Sequence, residues 1–309
     1  MNYLNSIKKS RVLIAIYEMY YKFRYYVFKF LYFDNYQIMS DFETIEYIEK
    51  FQPNVSRIGD GEMDIICNRN IGFQKADNNL ANDLEKVLLS KRKGMLICVI
   101  DAINNDVIEE LSYESRKFWM INLGLTFNKW RKYLHKKTCY GNAHITRPYI
   151  RYKNDKLVAL RFEKIRNIWN NKRVLIVEGE GTRIGVGNDF MDNASEIHRI
   201  ICPNKNAYEI KNIIKNKIIE YNQKNNYDMV LIALGPTASI LAYELLENQI
   251  WSLDVGHIDL EYEYWRRNMK NGGNIEIKYV DDSREEYNQY AFINDYKYLS
   301  SILENLNKL

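Results

Sequence analysis

The sequence has little cysteine, proline or glycine. It holds only 4 Cys, 4 Pro and 14 Gly among 309 residues. The cysteines never form a CxxC pair, which argues against a disulfide scaffold or a zinc ribbon and favours a reducing compartment. Low glycine and proline exclude collagen-like and low-complexity chains. A hydrophobic fraction of 46% excludes disorder, and the length suffices for a domain with a large core.

Several catalytic motifs are also missing. The sequence contains no GxSxG segment, no HExxH segment and no Walker A lysine motif. The nucleophile elbow of the α/β-hydrolases, the zinc site of metalloproteases and the phosphate loop of P-loop proteins are therefore not indicated. No internal repeat and no clear linker divides the chain, which favours one domain with an N-terminal appendage.

Positive charge is concentrated in residues 1–33. This segment has six Lys or Arg residues and one Glu, a net charge of +5, whereas the whole chain carries +4 and the remainder therefore −1. The residues after 33 are therefore not basic, and a nucleic-acid-binding domain is not indicated. Charges interrupt residues 11–33, so no uncharged run reaches the roughly 18 residues of a spanning helix. A signal-peptide cleavage site is also absent from this segment.

Residues 11–33 have the pattern of an amphipathic helix. Arg11, Glu18, Lys22 and Lys29 fall on one stripe at about 100° per residue, and Tyr, Phe and aliphatic residues cover most of the remaining surface. Two interpretations stay open: residues 8–33 bind a membrane surface, or the helix docks on its own domain or on a second subunit. We expect residues 1–38 to form this appendage and residues 39–309 to form the main domain.

In the predicted main domain, residues 39–309, short apolar runs alternate with segments that have a helical pattern. Strands are predicted at 55–58, 95–100, 174–177, 197–201, 229–234 and 253–255. Helices are predicted between them, and the first begins with a capping box formed by Ser40 and Glu43. Continuous apolar strands are typical of parallel sheets that are covered on both faces. The sequence therefore predicts an α/β fold with a doubly wound, mostly parallel sheet, helices on both faces and an N-terminal amphipathic helix.

Polar segments that contain glycine follow four of these strands. They are GDGE at 59–62, EGEGTRIGVGND at 178–189, GPTAS at 235–239 and GHIDLEYE at 256–263. In open α/β sheets, ligands bind beyond the carboxyl ends of the strands. The four segments together predict a ligand site at that edge.

The segment GDGE predicts a metal site. Asp60 and Glu62 would point to the same side of an extended segment, and Gly59 and Gly61 would let the backbone turn. Paired carboxylates suit Mn²⁺ or Mg²⁺. The same Asp-x-Glu pattern recurs at 41–43, 83–85 and 259–261, so the prediction depends on the position at a strand end.

The next two segments predict contacts with an anionic ligand. The glycine-rich turn departs from GxGxxG because Ile184 precedes Gly185, but Arg183 could bind a phosphate. Alternatively, its glycines serve only a sharp turn. Thr237 is predicted to cap a helix whose free N–H groups suit an anion, unless that helix is capped without a ligand. The candidates are Glu180, Gly181, Arg183, Asn188, Asp189, Gly235, Pro236 and Thr237.

Two further segments supply polar candidates. His257 lies within six residues of three carboxylates at a strand end, which indicates catalysis by His257, Asp259 or Glu263. In the segment 140–149, Asn142 and Arg147 are predicted to donate hydrogen bonds to a substrate. A purely structural connection is the alternative for that segment.

Five segments, taken in their order along the chain, resemble the GT-D type glycosyltransferase family. They are RIGDGE at 57–62, YGNAHITRPY at 140–149, VLIVEGEGTRIGVGND at 174–189, LIALGPTASILAYEL at 231–245 and DVGHIDLEYEYW at 254–265. The resemblance covers roughly residues 40–270 and leaves residues 1–33 aside. It implies a Rossmann-like domain that transfers a sugar, typically glucose from UDP-glucose. It also implies Mn²⁺ held by a DxE motif, here Asp60 and Glu62, with the second and third strand-end segments bordering the nucleotide sugar.

The expected function is metal-dependent transfer of a hexose to a glycan or glycoprotein in the assembly of a bacterial surface polysaccharide. The expected location is the cytoplasm, peripheral on the inner face of the membrane. His257, Asp259 or Glu263 would act as the base if the reaction inverts. Two alternatives remain: a non-catalytic nucleotide-sugar-binding partner that anchors a glycosylation complex, and a metal-dependent phosphohydrolase. The choice of donor sugar depends on pocket contacts of a few kcal/mol.

Overall fold

The computed structural model describes residues 11–31, 36–104, 107–153, 156–280 and 290–308. Nine strands of this part form one sheet in which every pairing is parallel. The strands are β1 (Gln37–Ile38), β2 (Asn54–Ile58), β3 (Met95–Val99), β4 (Cys139–Asn142), β5 (Arg173–Gly179), β6 (Glu196–Cys202), β7 (Met229–Ala233), β8 (Ser252–Asp254) and β9 (Ile302–Asn305). Their spatial order is β1-β4-β3-β2-β8-β7-β5-β6-β9. The predicted α/β fold class is confirmed.

The α-helices of the described residues connect and cover these strands. They are α1 (Arg11–Leu31), α2 (Asp41–Phe51), α3 (Asp60–Ile66), α4 (Asn78–Leu88), α5 (Tyr113–Tyr133), α6 (Val158–Asn167), α7 (Lys211–Asn225), α8 (Pro236–Leu245), α9 (Ile258–Arg266) and α10 (Tyr296–Ser301). The predicted capping box of α2 is present: Ser40 Oγ accepts the N–H of Glu43, and the Glu43 carboxylate accepts the N–H of Ser40.

Helices pack on both faces of the sheet, because successive side chains of each strand point to opposite faces. In β5, Val174 and Ile176 join a core with residues of α2 and α6, whereas Leu175 and Val177 join a core with α7 and α8. A further core under β2 and β3 takes residues of α3, α4 and α5. Burial of these apolar surfaces, at about 25 cal/mol per Å², is the main force that holds the layers together.

The sheet reverses its winding direction between β2 and β8. From β2 the chain continues to β3 on one side, whereas β8 follows β7 on the other side. A switch of this kind opens a crevice at the carboxyl ends of the two strands. Gly235 and Gly256 border the crevice with φ of 53° and 47°, in the left-handed region that favours glycine. A Cβ at Gly256 would lie 2.0 Å from Arg57 Nη2, and one at Gly235 would lie 2.1 Å from the Phe73 ring.

Helix α1 packs along α5. The two backbones meet at Gly124, where a Cβ would lie only 2.1 Å from the carbonyl oxygen of Tyr21. Phe28 stacks on Phe127 with 5.3 Å between ring centroids, and Lys117 pairs with Glu18 at 2.9 Å. The interpretation that the helix docks on its own domain therefore holds for this side of α1.

Two further predictions concern the N-terminal residues 1–38. The division into residues 1–38 and 39–309 stays a prediction, and residues 1–10 and 32–35 lie outside the described residues. Within the described ranges, no helix combines the length and the apolar character that crossing a bilayer requires.

Candidate active site

A cleft of about 580 Å³ opens at the carboxyl ends of β2, β5, β7 and β8. Its floor comes from the segments that follow these strands, and one wall comes from α5 with Phe118 and Trp119. The predicted site residues that line the cleft are Gly59, Asp60, Gly61, Glu62, Arg147, Gly235, His257 and Asp259. The structure places the other candidates elsewhere: Asn142, Glu180, Gly181, Arg183, Asn188, Asp189, Pro236, Thr237 and Glu263.

Asp60 and Glu62 open helix α3. The expectation of an extended segment at this point is wrong. An extended backbone therefore does not align the two carboxylates. Gly59 is the N-cap residue, and Glu62 Oε2 accepts its N–H at 2.8 Å, the backbone half of a capping box. Negative side chains in the first turn also stabilise the helix dipole, which explains why a helix begins here.

Burial raises the pKa of both carboxyl groups. For Glu62, burial and the nearby Asp254 raise the pKa to about 7 in spite of Arg57. The pKa of Asp60 is also raised by burial, although Arg147 acts against the shift. A bound cation would relieve this cost, because an opposite charge stabilises the ionised carboxylates.

A hard divalent cation at Asp60 and Glu62 would have to be shared with a ligand. In the described part of the chain, no group of three His, Cys, Asp or Glu side chains is placed to hold a metal ion. Asp60 and one oxygen of Glu62 would therefore be two protein ligands. Mg²⁺ sites of this kind take their other oxygens from substrate phosphates and water.

Arg57 fixes the floor of the cleft. Its Nη2 donates to Asp254 Oδ1 at 2.9 Å, and its Nη1 donates to Thr146 Oγ1 at 2.7 Å. Ser239 in turn donates to Asp254 Oδ2 at 2.7 Å. These bonds tie β2, β8, α8 and the turn before Arg147 into one unit. Arg57 is the one charged residue of β2, and a charge within a buried strand is a signal that could have identified it from the sequence.

Arg147 joins His257 to Glu261. Its Nη2 lies 3.4 Å from His257 Nδ1, and its Nη1 lies 3.9 Å from Glu261 Oε1. Since a guanidinium only donates, His257 Nδ1 is the acceptor and Nε2 carries the hydrogen in the neutral ring. Burial, Arg147 and Arg57 lower the pKa of His257 to about 3, so this histidine is neutral at physiological pH.

Glu261 is a carboxylate of the cleft that was not among the residues predicted from sequence. Its Oε2 accepts the N–H groups of Tyr149 and Ile150 at 3.0 and 3.1 Å. Its Oε1 is buried and accepts no hydrogen bond within the described residues. Burial raises its pKa, with Arg147 acting in the opposite direction. Glu261 lies one helical turn after His257, and that four-residue spacing could have identified it.

Asp259 and Glu263 occupy a neighbouring stripe of α9 and hold the glycine-rich turn. Asp259 accepts the N–H of Gly185 at 2.8 Å and pairs with the ammonium of Lys278. The Asn188 amide donates to Asp259 at 3.1 Å and to Glu263 at 2.7 Å. Of these two predicted bases, only Asp259 lines the cleft, and its two oxygens already accept structural bonds.

The rest of the glycine-rich segment forms tight turns. Arg183 donates to the carbonyls of Ile277 and Ala291 at 2.6 and 2.8 Å, so its guanidinium is committed to the protein. Glu180 accepts a bond from the Tyr290 hydroxyl at 3.1 Å. Gly179 and Thr182 line the cleft. Thus the segment borders the cleft through residues other than those predicted, and the alternative of a structural turn describes Arg183 better.

The helix after β7 begins differently from the prediction. Gly235 is the N-cap residue of α8, Pro236 follows, and Thr237 is the second helical residue. The expectation that Thr237 caps the helix is therefore wrong. The Thr237 side chain is buried, and its hydroxyl has no hydrogen-bond partner within the described residues. Gly235 alone of the three lines the cleft.

A buried polar network supports the wall beside Arg147. Asp101 accepts bonds from Asn142 at 2.8 Å and Arg151 at 2.9 Å, and its other oxygen lies 3.0 Å from His144 Nδ1. Burial works against ionisation, but Arg151 and His144 hold the pKa of Asp101 well below its usual range. Burial and Arg151 lower the pKa of His144 to about 4. Asn142 therefore supports the wall, and His144 lines the cleft.

Comparisons with known proteins identify the family of this chain. The model of the glycosyltransferase GT-D fold matches residues 55–283. The chain belongs to the GT-D glycosyltransferase family. The probable glycosyl transferase Gly of Streptococcus gordonii is 33% identical over 271 residues, which are 87% of this chain and 39% of that protein. The glycosyltransferase GlyD of Streptococcus pneumoniae is 33% identical over 265 residues, 84% of this chain and 31% of that protein.

Solved structures agree with this membership. A glycosyltransferase of Streptococcus sanguinis with the domain of unknown function 1792 superposes with a TM-score of 0.82 at 32% identity, over 88% of this chain and 100% of that chain. A second structure of that domain, described as a distinct glycosyltransferase fold, gives a TM-score of 0.80 at 29% identity, over 88% and 96% of the two chains. The GT-D chain spans about a third of the length of the two curated relatives. The predicted resemblance is confirmed.

Proposed function

We propose that this GT-D chain transfers a hexose, most directly glucose from UDP-glucose, to a hydroxyl of a glycan or glycoprotein in the assembly of a bacterial surface polysaccharide. The single observation that supports this proposal is the acidic cleft at the switch point of the sheet. There Asp60, Glu62 and Glu261 share one cavity of about 580 Å³ with Arg147. A volume of this size accommodates a nucleotide sugar.

The proposal includes a divalent cation, Mn²⁺ or Mg²⁺, held by Asp60 and Glu62. A diphosphate that enters a cleft with several carboxylates is repelled unless positive charge intervenes. Arg147 provides one positive group in the cleft, since its side chain is half exposed. When bound, the cation would supply Lewis-acid stabilisation to the departing diphosphate.

Glu261 is our candidate for the general base. Its Oε1 needs a hydrogen-bond donor, and its raised pKa makes it a better proton acceptor than an ordinary surface carboxylate. The acceptor hydroxyl would donate to this oxygen and attack the anomeric carbon from the side opposite the leaving UDP. Neutral His257 would donate from Nε2 to a sugar or phosphate oxygen. This assignment replaces Asp259 and Glu263, whose oxygens are engaged in holding the glycine-rich turn.

The aromatic side chains of the cleft support a sugar or base ligand. Phe73, Phe118, Trp119 and Tyr279 line the cavity, and flat apolar surfaces of this kind pack against rings. We also propose a cytoplasmic location, peripheral on the inner face of the membrane. All four cysteines are free thiols, which supports a reducing compartment.

A product assay tests the proposed reaction. The chain is incubated with Mn²⁺, one of UDP-glucose, UDP-galactose or UDP-N-acetylglucosamine, and a panel of p-nitrophenyl hexosides as acceptors. We expect a glycosylated product from UDP-glucose, identified by mass spectrometry, and its loss in Asp60→Asn/Glu62→Gln. The matched control Asp83→Asn/Glu85→Gln alters an Asp-x-Glu pair on α4, outside the cleft, and keeps activity.

Other results of this assay would overturn the proposal. UDP release that is equal with and without acceptors, with no glycosylated product, would identify a hydrolase. No product from any donor, together with UDP binding in a separate calorimetric titration, would identify a non-catalytic partner of a glycosylation complex.

A further inference from the structure

Helix α1 exposes a large apolar surface on the side that faces away from α5. We call this surface the aromatic face. It consists of Leu13, Ile16, Met19, Tyr20, Phe23, Tyr26, Phe30 and Leu31, all of which are exposed. Phe23, Met19 and Phe30 expose 65%, 67% and 86% of their surface. A contiguous apolar surface of this kind on a soluble domain marks an interaction site.

The aromatic face is held outward by the packing of α1. Gly124 allows the backbones of α1 and α5 to touch at Tyr21, and Tyr25 is buried on the same side. Phe28 stacks on Phe127. Since these contacts fix the rotation of the helix, the aromatic face is a defined surface of the folded protein.

Cations border the aromatic face on both edges. At about 100° per residue, Lys22 and Lys29 fall along one edge and Arg24 falls along the other. The Arg24 guanidinium lies 5.3 Å from the centroid of the Phe28 ring, so it stays close to the helix surface. Glu18, the single acidic residue of α1, is paired with Lys117. The face therefore offers aromatic groups between positive charges.

We propose that the aromatic face docks this protein onto an anionic lipid surface. Interfacial helices bury Phe, Leu and other apolar side chains at the acyl boundary while Lys and Arg bind acidic head groups. Tyr side chains suit the boundary because each has an apolar ring and a polar hydroxyl. A second copy of the chain fits less well, since pairing two such faces would bring Lys and Arg edges together without acidic partners on either helix.

Docking through this face would hold the cleft near the lipid surface. The other side of α5 contributes Phe118 and Trp119 to the cleft wall, so the helix pair α1 and α5 lies between the aromatic face and the cavity. The inference refines the location given in the proposed function. Its test measures lipid binding without glycosyl transfer, so the two proposals can fail independently.

Co-sedimentation of the full chain with vesicles tests the inference. One set of vesicles is pure phosphatidylcholine and the other contains phosphatidylglycerol as well. We expect binding that is about tenfold stronger to the anionic vesicles and that weakens with added salt. Phe23→Ser/Tyr26→Ser/Phe30→Ser should lower binding about tenfold or more, and Lys22→Gln/Arg24→Gln/Lys29→Gln should remove the preference for anionic vesicles.

The matched control is Phe292→Ser/Tyr296→Ser, because both of these side chains are 85% exposed and lie outside α1. This control should bind vesicles like the wild type, and circular dichroism should show that every variant is folded. Equal vesicle binding by the wild type and the triple aromatic variant would overturn the inference. So would a wild type that ignores vesicles and forms a dimer that the triple aromatic variant abolishes, because the occupant would then be a second copy.

Discussion

At the scale of single residues, the site divides into groups that support the fold and groups that remain free for a ligand. Arg57, Asp254 and Asp259 have their charges paired within the protein. Asp60 lines the cleft, and Glu261 Oε1 has no donor within the described residues. Because a buried acceptor without a donor costs stability, we infer that substrate hydroxyls supply the missing hydrogen bond.

Replacing Glu261 tests its role as the base. Glu261→Gln keeps the shape of the side chain and its capacity to accept the N–H groups of Tyr149 and Ile150, but it removes the basic carboxylate. We expect kcat for transfer to fall by about 10² to 10⁴ with little change in the Kd of UDP. The matched control Glu263→Gln lies on the same helix and should retain most activity. Unchanged kcat in Glu261→Gln would contradict this assignment.

His144 makes the stability of the fold depend on pH. The unfolded chain protonates this histidine near pH 6.5, whereas the folded protein keeps it neutral until a pH of about 4. The unfolded state therefore binds more protons between these values, and the free energy of unfolding falls as the pH decreases. The slope is about 1.4 kcal/mol per pH unit for this one proton.

Urea denaturation between pH 6.5 and 4 measures this contribution. His144→Gln should lower the slope of stability against pH by about one proton, whatever its effect on stability at pH 8. An identical slope in His144→Gln and the wild type would show that burial does not hold this ring neutral.

The sequence predicted which residues lie at the cleft where position along the chain alone decides. Gly59 to Glu62, Arg147, Gly235 and His257 line the cleft because each follows a strand or a short connection at the carboxyl edge. Arg183 and Asn188 do not line it, because their partners come from residues about 70 to 110 positions later in the chain. Spacing in a sequence carries no information about such distant partners.

At the scale of elements, the strands with apolar runs were predictable and the edge strands were not. The central strands β3, β5 and β7 are buried on both faces and contain continuous apolar runs, whereas β2 has apolar side chains only at Val55 and Ile58. In contrast, β1 and β9 lie at the two edges of the sheet and have only 2 and 4 residues. Short, half-covered strands need few apolar residues, so periodicity gives no signal for them.

The contact of α1 with α5 depends on a single glycine. Gly124→Ala introduces a Cβ 2.1 Å from the backbone oxygen of Tyr21, so α1 must move away even though alanine favours the helical state of α5. We expect trypsin to cleave after Lys22 or Arg24 about fivefold faster or more, because a detached helix unfolds locally.

Gly61→Ala is the control for this experiment, since a Cβ there meets only Ile71 Cδ1 at 3.5 Å, an ordinary contact. This control should leave the rate of cleavage in α1 unchanged. Equal cleavage rates in Gly124→Ala and the wild type would mean that the packing of α1 does not depend on close approach at Gly124.

At the scale of the whole molecule, the topology explains why residues from distant segments share one cavity. Segments that follow β2, β5, β7 and β8 meet because all nine described strands run in one direction and their carboxyl ends lie along one edge. The order of polar strand ends in the sequence was therefore enough to predict that a cleft lies at this edge. It was not enough to predict which side chains turn toward the cavity, since helices α3 and α9 begin within the polar segments.

The central claim is that Asp60 and Glu62 bind UDP through a divalent cation. Calorimetric titration of UDP in Mn²⁺ and in EDTA tests it most directly, on the wild type, on Asp60→Asn/Glu62→Gln and on the control Asp83→Asn/Glu85→Gln. We predict Mn²⁺-dependent binding to the wild type and the control, and affinity at least about tenfold lower for Asp60→Asn/Glu62→Gln. UDP binding of equal strength in EDTA, or undiminished binding by Asp60→Asn/Glu62→Gln in Mn²⁺, would contradict the account.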